Sequence, residues 1–145
     1  PGPRTQHFDG LPPFAAIICY EVIFSGNVVD PADRPAWILN ITNDGWFGPS
    51  TGPRQHLVQA KLRAIEEGLP VVRVANTGIS AVIDPYGRVR NMIGLDEQGI
   101  VDAPLPVSLE ATPFSDYGQS TGILLAVLGI VTGVLGRRRR VPGMS

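Results

Sequence analysis

The chain has 145 residues, 43% of them hydrophobic and 17% charged, enough apolar material for a domain with its own core and too much for a disordered polymer. Its formal net charge of −1 hides an uneven distribution: Arg137, Arg138, Arg139 and Arg140 are four of the twelve basic residues, and without them eight basic residues face thirteen acidic ones. An acidic body has no electrostatic footprint for nucleic acid, so no nucleic-acid partner is expected.

The single cysteine, Cys19, cannot close an intramolecular disulfide and indicates no redox compartment. His7, Cys19 and His56 lie far apart without ligand spacing, and no metal site is expected. The opening Pro1-Gly2-Pro3-Arg4 is neither an initiator methionine nor a signal peptide. It leads to the expectation that an upstream part of the protein is missing.

Residues 1–13 are rich in proline and glycine and read as an irregular lead-in. Residues 15–18 are a short apolar run suited to a strand buried on both faces. A second strand is expected over 37–42, ended by the turn residues Asn43, Asp44 and Gly45. Over 55–67 the pattern becomes helical, with Val58, Leu62 and Ile65 near one face, Pro53 before it and Gly68 after it. Strands are expected over 71–75 and 79–83, joined by Asn76-Thr77-Gly78. Asp84-Pro85-Tyr86-Gly87 then turns the chain into 88–92. The result is an α/β unit from which 104–113 departs as an extended connector.

The chain then changes character. Residues 117–136 are twenty consecutive uncharged positions, as a helix about 30 Å long and able to cross a bilayer's hydrocarbon core. Arg137–Arg140 follow at once, as expected of a cytoplasmic flank. A buried amphipathic helix would carry more polar residues than Gln119, Ser120, Thr121 and Thr132. Gly129 and Gly133 form a weak small-xxx-small pair for packing on another membrane helix. With this span the preceding domain lies outside the cytoplasm.

Three places have chemical potential. Cys19 follows the first apolar run, where a strand end and sharp turn would expose a nucleophile on a rigid backbone. On the residues alone the plainer reading prevails, since a lone cysteine beside Ile17 and Ile18 is usually a small core residue. Glu21, two positions on, is placed to bond groups around the thiol. Trp46 and Phe47 sit in a Gly/Pro-framed loop, where they either meet a ligand or fold back on the core. His56 stands at a helix start as a base or as a structural residue.

Taken together, Ile18-Cys19-Tyr20-Glu21, Asn43-Asp44-Gly45-Trp46-Phe47-Gly48 and Gly52-Pro53-Arg54-Gln55-His56 resemble the bacterial apolipoprotein N-acyltransferase family. Arg63-Ala64-Ile65-Glu66, Arg73-Val74-Ala75-Asn76-Thr77-Gly78-Ile79-Ser80-Ala81 and Asp84-Pro85-Tyr86-Gly87 continue the likeness, which covers about residues 13–136 in order and spacing. The resemblance implies the C-terminal part of a nitrilase-like αββα sandwich over 1–113, a transmembrane helix over 117–136 and a basic cytoplasmic tail over 137–145. It places the catalytic domain on the outer, periplasmic face of the bacterial cytoplasmic membrane. It further implies a Glu-Lys-Cys triad with Cys19 as the nucleophile, Tyr20 as the source of an oxyanion-binding backbone N–H, Glu21 as an acidic residue needed for activity and Trp46 at the lipid-substrate site. Nothing here matches the family's base glutamate or its lysine. Lys61, the only lysine, falls elsewhere, so the chain by itself is expected to be inactive.

The reaction so implied uses no cofactor. A membrane phospholipid donates its acyl chain to Cys19 as a thioester, and the α-amino group of a diacylglyceryl apolipoprotein accepts it. Two rivals keep parts of this picture: a membrane-tethered nitrilase-type amide hydrolase, in which water resolves the acyl-enzyme, and a non-enzymatic single-span anchored binding domain using the Trp46 loop.

Overall fold

The computed structural model describes residues 3–139, without the side chains of 121 and 137–139. Six strands form one sheet in sequence order: β1 (Thr5–Gln6), β2 (Phe14–Ile18), β3 (Trp37–Asn43), β4 (Val71–Asn76), β5 (Ser80–Ile83) and β6 (Val89–Ile93). β2, β3 and β4 are parallel, while β1 and the β4–β5–β6 hairpins are antiparallel. The lead-in is thus not wholly irregular, because Thr5–Gln6 pairs with Phe14 and Ala15. Helix α1 (Gly52–Glu67) crosses between β3 and β4, as a parallel pair requires.

One face of the sheet is covered. Ala15, Ile17, Ile38, Val71, Ala81 and Ile83 pack with Val22, Val28, Ala60, Ala64 and Leu69 into the core. The expectation that β2 is buried on both faces fails, since Ile18, Ile41 and Val74, in register with one another, are 65%, 49% and 50% exposed. Side chains alternate across a strand, and this second, apolar face is covered only in part: Phe8 stacks on Phe14 and Val82 is buried, while Ile18, Ile41 and Val74 stand open.

The rotation of α1 also differs from the apolar pattern. Its buried residues are Pro53, His56, Ala60, Arg63, Ala64 and Glu67, whereas Val58, Leu62 and Ile65 face outward. Buried polar groups on the sheet demand polar partners from the helix, and alanines permit close approach, so hydrogen-bond satisfaction outweighs apolar periodicity. Pro53 stands inside the first turn rather than before it, and Gly68 ends the helix at φ 65 with its N–H on the Ala64 carbonyl.

The connector expected over 104–113 has no regular structure up to residue 112, and its end does not leave the domain. Leu109 N–H donates to the Gly68 carbonyl, and the Thr112 hydroxyl donates to that of Glu66. Thr112 also caps α2 (Pro113–Tyr117), a short helix that the sequence pattern misses. The uncharged stretch is therefore interrupted: Tyr117 ends α2, Gly118 takes φ 55, and α3 runs Ser120–Arg139. Every described side chain of α3 is exposed. Among the described residues no helix is long and apolar enough to cross a membrane. Residues 140–145 of the basic tail lie outside the described residues.

Candidate active site

The three parallel strands end at one edge of the sheet, where open α/β sheets place their ligands. Cys19 follows β2, Asp44–Phe47 forms a 3-10 turn after β3, and Thr77-Gly78 follows β4. Cys19 opens a second 3-10 turn, Cys19–Ile23, and adopts φ 51 immediately after the extended Ile18. A non-glycine residue in the left-handed region persists only where its surroundings impose it, and such residues cluster at functional sites. The abrupt change from strand to left-handed turn lifts the partly exposed thiol out of the sheet.

Glu21 acts on the turn itself: its Oε2 accepts the Ile18 backbone N–H at 2.6 Å. From behind, α1 holds the following segment. Arg63 donates to Glu66 at 2.9 Å and to the Ile23 carbonyl at 3.5 Å, and Ser25 donates to Glu66 at 3.1 Å. Burial pulls the Arg63 guanidinium below its ordinary value against the opposing effect of Glu66 and Glu67. Burial likewise pushes the Glu67 carboxyl up, opposed by the Ser115 hydroxyl, Arg34 and Arg63.

Behind the site lies a fully buried polar cluster. Arg73 on β4 donates to both oxygens of Asp44 at 3.0 and 2.7 Å, to Asn40 Oδ1 at 2.5 Å and to the Ile79 carbonyl at 3.2 Å. His56 Nδ1 lies 2.8 Å from Asp44 Oδ1; a carboxylate only accepts, so the proton is assigned to Nδ1. Asn40 Nδ2 donates to the Ile17 carbonyl at 3.4 Å. A Cβ on Gly78 would lie 2.8 Å from Asp44 Cβ and closer still to Oδ2, so only glycine lets the loop after β4 pass this close.

The aromatic pair is divided. Trp46 is 88% exposed, whereas Phe47 is half-buried with its ring 5.4 Å from that of His56. The Tyr20 ring stands 5.9 Å from the same imidazole. Tyr20, Phe47, Gln55, His56 and Gln59 line a cavity of about 320 Å³. A larger hollow of about 570 Å³ runs along Val74 to Ser80 and Asp96 to Gly99. None of its lining residues belongs to the cysteine turn, so the smaller cavity, which Tyr20 lines, is the more relevant one.

The fold thus brings Cys19, Tyr20, Glu21 and His56 to one edge, with Trp46 standing out into solvent above it. Lys61 sits on α1 with its carbonyl facing Gly87, in the β5–β6 turn at the opposite edge. Asn40, Asp44 and Arg73 carry no functional expectation from local pattern. Their signal is a polar or charged residue inside an apolar strand, as in Val71-Val72-Arg73-Val74. Among the described residues no group of acidic, histidine or cysteine side chains is arranged to hold a metal.

Comparison with known proteins agrees with this architecture. Residues 4–113 match the carbon-nitrogen hydrolase family. The apolipoprotein N-acyltransferase of Bradyrhizobium diazoefficiens is 53% identical over 91% of this chain and 24% of its own length. That of Agrobacterium fabrum is 55% identical over 81% of this chain and 22% of its own. The chain spans about a quarter of the length of these curated relatives. Among solved structures, an amidase from Nesterenkonia sp. superposes with a TM-score of 0.53 at 19% identity, covering 68% of this chain and 39% of that one. A CN-hydrolase superfamily protein from Xanthomonas campestris does so with a TM-score of 0.53 at 23% identity, covering 66% and 41%. At these identities the two structures establish the shared fold alone. The nitrilase-like α/β architecture expected from the sequence is therefore present, and the chain belongs to the carbon-nitrogen hydrolase family.

Proposed function

We propose that this chain is the nucleophile-bearing part of an apolipoprotein N-acyltransferase. The observation that carries the reading is Cys19 at φ 51 on the C-terminal edge of the parallel strands, in a sequence about half identical to proteins of that name. In the proposed reaction the Cys19 thiolate attacks an ester carbonyl of a membrane phospholipid. The lysophospholipid alkoxide leaves and takes up a proton, and the acyl group remains as a thioester. The neutral α-amino group of a diacylglyceryl-cysteine then attacks that thioester. The thiolate departs, the amine loses a proton, and an amide results.

Within this scheme the Tyr20 backbone N–H contributes to the oxyanion site. Glu21 holds the turn through the Ile18 N–H, and Trp46 meets the acyl chain. The general base and the lysine of the triad belong to a part of the protein outside residues 1–145, and the chain alone is inactive. Residues 1–113 form the C-terminal part of the catalytic domain. We read 117–136 with α3 as a membrane anchor, 137–145 as a cytoplasmic tail, and the domain as lying on the periplasmic face of the bacterial inner membrane. The exposed apolar side chains of α3, such as Ile123, Leu124 and Leu125, support that reading.

The test is a chimaera joining the upstream part of the Bradyrhizobium relative to residues 1–145, given phospholipid with a labelled acyl chain. Label should accumulate on Cys19 and pass to a diacylglyceryl-cysteine peptide. Acyl-enzyme in the Cys19→Ala chimaera would sink the reading. A second reading, amide hydrolysis, has the amidase fold of the Nesterenkonia protein in its favour. It predicts free fatty acid and no labelled peptide when the acceptor is present.

A further inference from the structure

We infer that Asp44, His56 and Arg73 form a positioning unit that holds Cys19 in its left-handed conformation, acting through Tyr20 on one side and Ile17 on the other. The inference rests on the reading of Cys19 as the nucleophile. Its ground is geometric. The side chains of Asp44, His56 and Arg73 are 0%, 2% and 0% exposed, so their bonds are formed away from competing water. Arg73 reaches both Asp44 oxygens from one nitrogen, Nη2, a charge-assisted contact that anchors the carboxylate. The carboxylate in turn accepts a hydrogen bond from His56 Nδ1–H, with Nδ1 and Oδ1 2.8 Å apart, and so orients the ring.

Two branches leave this unit, and each ends beside the nucleophile. The His56 ring packs on Tyr20, the next residue after Cys19, at 5.9 Å. Its other neighbour is Phe47 at 5.4 Å, which brings the Trp46 turn under the same control. The second branch runs from Arg73 to Asn40 and on to the carbonyl of Ile17, two residues before Cys19. A left-handed cysteine relaxes unless both flanks are held, and these two branches act on both flanks. No atom of the unit is assigned contact with substrate. It acts on the reaction by setting where the sulfur sits, and a displacement near 1 Å suffices to lower a rate by about 100-fold.

The test uses the whole protein carrying this sequence and compares His56→Phe, Tyr20→Ala and the core control Ile83→Val. His56→Phe keeps a ring between Tyr20 and Phe47 but loses the bond to Asp44. Tyr20→Ala breaks the same branch at an exposed position, where folding is not at stake. Both should lower kcat by about 10- to 100-fold and slow iodoacetamide alkylation of Cys19, with KM for the phospholipid within about threefold. Ile83→Val should leave kcat and alkylation within about twofold at a comparable thermal midpoint. Activity and alkylation within twofold of wild type in Tyr20→Ala would overturn the inference. So would losses in His56→Phe no greater than those in Ile83→Val at an equal midpoint. Cys19→Ala separates the two claims: acyl transfer retained there defeats the nucleophile reading, whereas alkylation of Cys19 in the other variants reports positioning with or without acyl transfer.

Discussion

Asp44 Oδ2 and Arg73 Nη2 lie 2.7 Å apart with both side chains fully buried, joining the turn after β3 to the middle of β4. Among the described residues neither charge has another full counter-charge inside the sheet, so the pair is strong only while complete. Removing one partner strands the other in a low dielectric, whereas removing both does not. Arg73→Met is therefore expected to lower unfolding stability by about 3–5 kcal/mol. The double variant Asp44→Leu/Arg73→Met should recover only part of that loss, because Asn40 and His56 still lose their buried partners. Urea unfolding of Arg73→Met, Asp44→Leu and the double variant measures the coupling, and additive effects would contradict this picture.

Gly78 is held by the same carboxylate. A methyl group there would sit 2.8 Å from the Asp44 Cβ and closer still to Oδ2, and the carboxylate is tied to Arg73 and His56 and cannot swing aside. Gly78→Ala should cost about 1–3 kcal/mol. A thermal midpoint unchanged from wild type would show that the loop yields freely.

Cys19 stores backbone strain that glycine would not. For a residue with a Cβ the left-handed region costs roughly 1–2 kcal/mol, partly offset by glycine's greater unfolded-state entropy. Cys19→Gly should therefore be more stable than Cys19→Ala by about 1 kcal/mol, and under the proposed function acyl transfer by the whole protein is lost in both. Equal unfolding midpoints for the two variants would show that φ 51 carries no strain.

Acid should destabilise the β5–β6 turn through Asp84. Burial raises this carboxyl, but the backbone N–H groups of Arg88 and Tyr86 and the Arg90 side chain outweigh it, leaving the folded value below the ordinary one. A carboxyl depressed in the folded state binds its proton more tightly when unfolded. Its contribution is present above the unfolded pKa of about 3.9 and is lost as pH falls through the folded value. Asp84→Asn should flatten the acid limb of stability measured between about pH 5 and pH 2.5. Glu67 has the opposite sign. Raised by burial, it opposes folding once pH exceeds its unfolded value, so Glu67→Gln should raise the unfolding midpoint at pH 8 more than at pH 4.

Trp46 separates function from stability. At 88% exposure it contributes little to folding, and Trp46→Ala should shift stability by less than about 0.5 kcal/mol. If it meets the acyl chain, the same variant should slow acylation of Cys19 by long-chain phospholipid more than by a short-chain ester. Equal effects on the two donors would remove Trp46 from the substrate site.

Much of the site is legible in the order of residues along the chain. Cys19 at a strand end, the turn after β3 and the Trp46 loop follow from local order, because strands, turns and breakers are set by neighbouring residues. The strand order is not legible: α1 accounts for the parallel pairing of β3 and β4, but no α-helix lies between the parallel β2 and β3. Helix rotation is not legible: Val58, Leu62 and Ile65 suggest the inner face, yet His56, Arg63 and Glu67 occupy it. The break at Gly118 is hidden too, since an uncharged run gives no sign of a backbone at φ 55.

By itself, then, the sequence determined the strands over β2 to β6 and helix α1, though not β1 or α2, and also where the nucleophile candidate falls and that Arg137–Arg140 follow an uncharged stretch. These depend on periodicity and on single residues with few conformational choices. Only the tertiary structure decided that Asn40, Asp44, His56 and Arg73 are one unit, that Cys19 is left-handed, and that Glu21 bonds the Ile18 N–H. The reason is physical: a buried polar group must find partners wherever the chain brings them, here as far as 33 positions away from Asn40 to Arg73, and no local pattern encodes that meeting.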